Sequence, residues 1–147
     1  MMKRDGEPWM PAPEYGRSLR GLGHNLLVRD VQTMTAFLTT VLSGKVVYED
    51  PDFAVVNVSD GSLILHADHT YADHPYSASV RDADLRGAGL EIRLYAVDPD
   101  AAQAAAEANG YTVLDACTDK PHGLREAYLL GPEGYCFVPS RPLPDTP

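Results

Sequence analysis

One order of elements occurs twice in this chain, and that repetition limits the folds open to it more than any single motif. Leu22 to Val28 reads as a strand, and Asp30 caps a helix whose apolar face uses Val31, Met34, Phe37, Leu38, Val41 and Leu42, with Gly44 closing it. Three strand-like runs follow, Lys45 to Glu49, Phe53 to Val58 and Ser62 to Ala67. Asp50-Pro51-Asp52 and Ser59-Asp60-Gly61 supply the turns between them. The order then returns. Leu90 to Ala96 is a strand, and Asp98-Pro99 opens an alanine-rich helix that ends at Asn109-Gly110. Tyr111 to Leu114, Glu126 to Leu130 and Tyr135 to Val138 complete three more strands, with Gly131-Pro132-Glu133-Gly134 turning between the last two. Each half is a βαβββ module, an α+β unit whose single helix leaves one face of its sheet uncovered.

A chain of 147 residues is the size of one domain, able to bury roughly two-thirds of its unfolded surface. Residues 1–20, with Pro8, Pro11 and Pro13 beside Gly6 and Gly16, predict an extended N-terminal arm. The domain proper spans 21–147, with modules at about 21–67 and 90–143. The linker 68–89, polar and interrupted by Pro75, Gly87 and Gly89, reads as a crossing segment or mobile loop. Cys117 and Cys136 lack both the C-x-x-C spacing of a redox or zinc motif and the density of a secreted scaffold. The N-terminus has no apolar signal core, and no run approaches the roughly 18 apolar residues of a membrane span, so the expected compartment is the cytoplasm. With 12 Lys and Arg against 21 Asp and Glu, a net charge of -9 argues against nucleic acid, because phosphate binding needs clustered cations. The same charge attracts a cationic ligand or serves solubility alone.

Three stretches together resemble the vicinal oxygen chelate superfamily, the glyoxalase/bleomycin resistance protein/dioxygenase family. They are Gly23-His24-Asn25-Leu26-Leu27-Val28-Arg29-Asp30 running into Ala36-Phe37, then Val41-Leu42-Ser43-Gly44, and the run from Asp119 to Tyr135. In the last, His122 stands where that family often has an aromatic residue and Gly131 where it usually has an acid. The resemblance implies two modules curled into an incomplete barrel-like cleft, with metal ligands on the first and last strands of each. His24 and Glu91 occupy first-strand ligand positions. Ile64 stands at a usual Glu position with His66 two residues on, and Val138 takes the last. His24, His66 and Glu91 would then form a face for a divalent metal, whether zinc, manganese or iron. In the competing reading no metal is held: His24 and Glu91 hydrogen-bond within a polar cleft, His66 caps a strand end, and Arg93 is the cation nearest Glu91 in sequence.

Alternation along the second module's first strand sends Glu91, Arg93 and Tyr95 to one side and Ile92, Leu94 and Ala96 to the other, and the resemblance makes the polar side the cleft. Arg125 and Tyr128 fall on opposite faces, and Arg125 is expected to anchor the loop before it or a ligand anion. Arg93, Tyr95 and Arg125 are the ligand-binding candidates. His69, His74 and His122 lie in loops, where solvation is the simplest role, and Tyr71 and Tyr76 bracket His74 in a composition suited to a lid. Phosphate-cradling, nucleophile-elbow and H-E-x-x-H motifs are absent from the sequence. The leading reading is a homodimeric small-molecule-binding protein with its ligand in the cleft between modules. The alternative is a metal-dependent lyase, isomerase or dioxygenase acting on vicinal oxygens, with no catalytic base assigned, and a third is a dimeric partner module without a small-molecule site.

Overall fold

A computed structural model describes residues 2–145; Met1, Thr146 and Pro147, at the outer ends of the predicted arm and domain, lie outside the described residues. The repeated order folds as two four-stranded sheets. In the first, β1 (His24–Val28) lies parallel to β4 (Gly61–Ala67), and β3 (Phe53–Val58) and β2 (Lys45–Glu49) continue antiparallel, in the order β1-β4-β3-β2. The second repeats this as β5-β8-β7-β6, from β5 (Glu91–Leu94), β6 (Thr112–Asp119), β7 (Leu124–Leu130) and β8 (Cys136–Pro142). Neither sheet closes into a barrel, and each places its first strand beside its last.

The helix α2 (Val31–Leu42) begins at Asp30, whose side chain accepts from the Thr33 backbone N–H, and buries Met34, Phe37, Leu38 and Leu42 completely. It ends at Ser43, not at the expected Gly44: Ser43 takes the left-handed conformation at φ 58°. Gly44 is needed for another reason, since a Cβ there would lie 2.9 Å from the Leu38 carbonyl oxygen. The second helix, α4 (Pro99–Ala108), has Asp98 as its cap and proline at its first position, as read from sequence.

Both helices lie on the inward face of their sheets and pack on each other, so the two modules share one hydrophobic core. At its centre Phe37 of α2 meets Tyr111 edge-on at 4.8 Å and Phe137 of β8 at 5.1 Å. Gly131 allows this approach: a Cβ there would fall 2.9 Å from the Phe137 ring and 3.0 Å from that of Phe37. Any side chain at this position, an acid included, would have to displace one of the two rings.

Two stretches depart from expectation. The arm, expected to be extended, contains the helix α1 (Ala12–Ser18). The linker carries a 3-10 turn at Asp68–Tyr71 and the helix α3 (Pro75–Val80), and it is bolted down by Arg86. The Arg86 guanidinium is fully buried, with bonds of 2.6 and 2.8 Å to Asp68, one of 3.2 Å to the Leu27 carbonyl, and Glu133 at 3.3 Å. No helix among the described residues is long and apolar enough to cross a membrane.

Candidate functional site

Because the helices join the modules, each sheet keeps one face outside the common core, and strand register decides which side chains stand on it. Paired residues share a face. In the first sheet His24, Leu26 and Val28 pair with Leu63, Leu65 and Ala67, the core side, whereas Asn25 and Leu27 pair with Ile64 and His66 on the outer side. His24 and His66 therefore project to opposite faces, and Glu91 belongs to the other sheet. The trio His24, His66 and Glu91 does not assemble within one chain. No group of three His, Cys, Asp or Glu among the described residues could hold a metal ion. What stands beside His66 is Asn25, whose Oδ1 lies 2.6 Å from His66 Nδ1.

The outer face of the first sheet is roofed by the arm. Trp9 stacks on Tyr48 of β2 at 5.3 Å with planes 13° apart, and Tyr15 of α1 meets Phe53 of β3 edge-on at 5.6 Å. The Arg4 backbone N–H donates to Asp52 at 2.7 Å, and its guanidinium reaches Asp50 at 3.2 Å. Burial acts to raise the Asp52 pKa, but the Arg4 amide and His69, 2.8 Å away, outweigh it and hold the carboxyl below its ordinary value. Between roof and sheet lies a pocket of about 480 Å³, bounded by Trp9, Tyr15, Phe53, Ile64, His66 and Tyr71. Phe53 packs on His66 at 5.0 Å, and the Tyr71 ring lies 5.5 Å from it. Burial lowers the His66 pKa, so the imidazole is biased neutral. Another cavity of about 490 Å³ opens at the edge of the first module, but Arg29, Asp30, Gln32, Glu49 and Asp50 line it and no aromatic ring does.

The outer face of the second sheet is polar. Arg93 shares it with Glu91, as the alternation predicts, and donates to Glu91 at 2.7 Å, to the Tyr128 hydroxyl at 3.4 Å and to Glu126. Arg93 is thus the ion-pair partner of Glu91. Val138, paired with Arg93, is fully buried. Glu126 is 2% exposed; burial raises its pKa, but bonds from His122 and Arg93 reverse the shift and keep it ionised. Tyr95 is exposed just beyond β5, with the Arg93 guanidinium 5.8 Å from its ring. Arg125 points the other way. It grips Asp100, at the start of α4, with bonds of 2.9 and 2.8 Å and Asp119 with one of 2.9 Å, so it clamps the β6–β7 hairpin to α4 and leaves the outer face to others. Of the expected ligand-binding residues, Arg93 and Tyr95 lie together and Arg125 does not join them.

The roof was not legible in the sequence, because its proline and glycine content resembles that of any solvated tail. The available signal was the cluster of Trp9, Met10 and Tyr15 among the prolines and charged residues of the segment.

The family model described as Glyoxalase/Bleomycin resistance protein/Dioxygenase superfamily matches residues 21–138. No curated protein matches the chain. Solved structures similar to it include TioX from Micromonospora sp. ML1, at 18% identity and TM-score 0.62 over 87% of this chain and 100% of that one. A glyoxalase/bleomycin resistance protein/dioxygenase family enzyme from Burkholderia phytofirmans PsJN matches at 19% identity and TM-score 0.67, over 81% and 95%. A glyoxalase/bleomycin resistance protein/dioxygenase from Nocardioides matches at 20% and 0.63, over 91% and 94%. At these identities the likeness is one of fold.

Proposed function

The chain belongs to the Glyoxalase/Bleomycin resistance protein/Dioxygenase superfamily, and from that premise we propose that it is a small-molecule-binding protein that holds its ligand against the outer face of the first module. The observation that carries the proposal is the aromatic pocket of about 480 Å³ over Ile64 and His66, within the size range of small-molecule sites. The alternative, metal-dependent chemistry on vicinal oxygens, draws no support from the donor geometry. His24 faces the core side, and Val138 supplies no fourth ligand.

The reading includes a homodimer. The two outer faces of one chain do not face each other across a cleft, so a ligand cleft between modules requires a second copy. The polar second face, edged by exposed Leu90, Tyr95 and Leu114, suits that pairing. Cys117 and Cys136 are free thiols, which supports the cytoplasm as the compartment.

The test is saturation-transfer NMR with a mixed library of aromatic and aliphatic fragments, run on wild type and on Ile64→Trp, which fills the pocket. Fragment signals present in wild type and lost in Ile64→Trp are the expected result. Fragments that bind both proteins equally would place binding elsewhere and overturn the reading.

A further inference from the structure

The family match begins at residue 21, whereas Arg4, Trp9 and Tyr15 precede it, so the roof of the pocket is an addition to the matched domain. Its rings form a continuous set. Trp9 lies 5.9 Å from Tyr15, Tyr15 5.6 Å from Phe53, Phe53 6.2 Å from Tyr48, and Tyr48 5.3 Å from Trp9, which closes a four-membered cluster. Phe53 extends it through His66 to Tyr71. Ring faces carry negative quadrupole density and attract cations or other flat rings.

The charges at the rim point the same way. Asp52 lines the Arg4 end of the pocket, and the one arginine among the lining residues already bonds to Asp50, which lies outside the lining. His69 is the partner of Asp52. An anion entering the pocket would meet ring faces and the Asp52 carboxylate, with Arg4 already held by Asp50. A cation would meet the same rings with a favourable sign, in a chain of net charge -9.

We propose that the N-terminal roof converts the outer face of the first module into a site for a flat aromatic cation, held against Trp9, Phe53 and Tyr71. The proposal rests on the small-molecule reading above and adds the ligand class and the part played by the arm. Trp9 becomes a ligand-contacting residue outside the matched domain, and it is also the chain's single tryptophan, so its emission reports on the pocket directly.

The experiment uses the full chain with two probes of similar size and flatness, proflavine as the cation and 2-naphthalenesulfonate as the anion. Proflavine is expected to bind one to one and quench Trp9 emission. Trp9→Leu should weaken proflavine at least tenfold, read from the dye's own fluorescence, with circular dichroism confirming the fold, and Phe53→Leu should weaken it too. The sulfonate should bind at least tenfold more weakly than proflavine. Sulfonate binding as tight as proflavine, lost in Ile64→Trp, overturns the ligand class and leaves the site reading standing. Proflavine affinity unchanged in Trp9→Leu overturns the part assigned to the roof. Proflavine bound equally by Ile64→Trp is surface adsorption to an acidic protein and overturns the proposal. Failure of both probes to bind wild type overturns it as well, and the fragment screen then decides whether the site reading survives.

Discussion

His66 contacts both Phe53 and Tyr71, with Asn25 beside its Nδ1, and its ionisation links the pocket to pH. Burial lowers its folded-state pKa below the ordinary value near 6.5. The unfolded chain therefore takes up the proton first as pH falls. The stability that comes from keeping the ring neutral is present above about pH 6.5 and is lost as pH falls through the lower folded-state pKa. Urea unfolding at pH 7.5 and 5.5 should show wild type losing more stability between these values than His66→Gln; equal losses would mean that His66 titrates as in the unfolded chain. Arg125 makes a different prediction. The paired bonds to Asp100 need a planar fork that lysine lacks, so Arg125→Lys should lower the melting temperature while leaving ligand affinity unchanged. The Asp100 carboxyl, held at about 2 by hydrogen bonds from Arg125 and Cys117, keeps that clamp charged until strongly acid pH. At this scale the sequence was legible where alternation was clean, as at Glu91 and Arg93, and misleading at β1. Leu26, Leu27 and Val28 are all buried, so Asn25 alone marks the outer face of the strand and alternation fades after it. The resemblance, not alternation, put His24 among the ligand candidates, and the register with Leu63 sets it on the core side.

Among elements, α2 and α4 were the most readable, since a cap, an apolar stripe and a stop signal agree in each. Their packing carries the fold. Phe37→Ala removes the ring that touches both Tyr111 and Phe137, and it should cost about 3–5 kcal/mol in chemical denaturation. A loss below about 1 kcal/mol would mean that the helices do not share one core. The linker 68–89 was the least readable, because its anchor is one side chain whose partners are distant in sequence. Arg86 meets Asp68, the Leu27 carbonyl and Glu133, and nothing local to Arg86 predicts any of them. Removing it leaves Asp68 without its ion-pair partner, while Glu133 is left with the more exposed Arg29 at 3.4 Å. Arg86→Ala should therefore destabilise the protein by about 3 kcal/mol, the low end of the range for a broken buried pair, because Asp68 keeps some solvent. Hydrogen exchange across 68–89 should speed up in the same variant.

For the whole molecule, the repeated order of elements was enough to foresee two alike βαβββ modules, and the structure adds that each pairs its first strand with its last. The repeated order could not foresee how the modules meet. That depends on which faces are complementary, and here the helices and not the bare faces make the join. One chain thus carries two outer faces pointing away from a shared core, the first roofed and aromatic, the second polar with exposed Leu90, Tyr95 and Leu114. Sedimentation at micromolar concentration should give about twice the 16.0 kDa chain mass, and a monomer would rule out a cleft between copies. The most direct measurement is amide and side-chain chemical-shift mapping of the full chain with proflavine. Shifts concentrated at Trp9, Phe53, Ile64, His66 and Tyr71 are predicted, with the surroundings of Arg125 unmoved. Shifts confined to the second module's outer face, around Glu91, Arg93 and Tyr128, would contradict a ligand site on the first module.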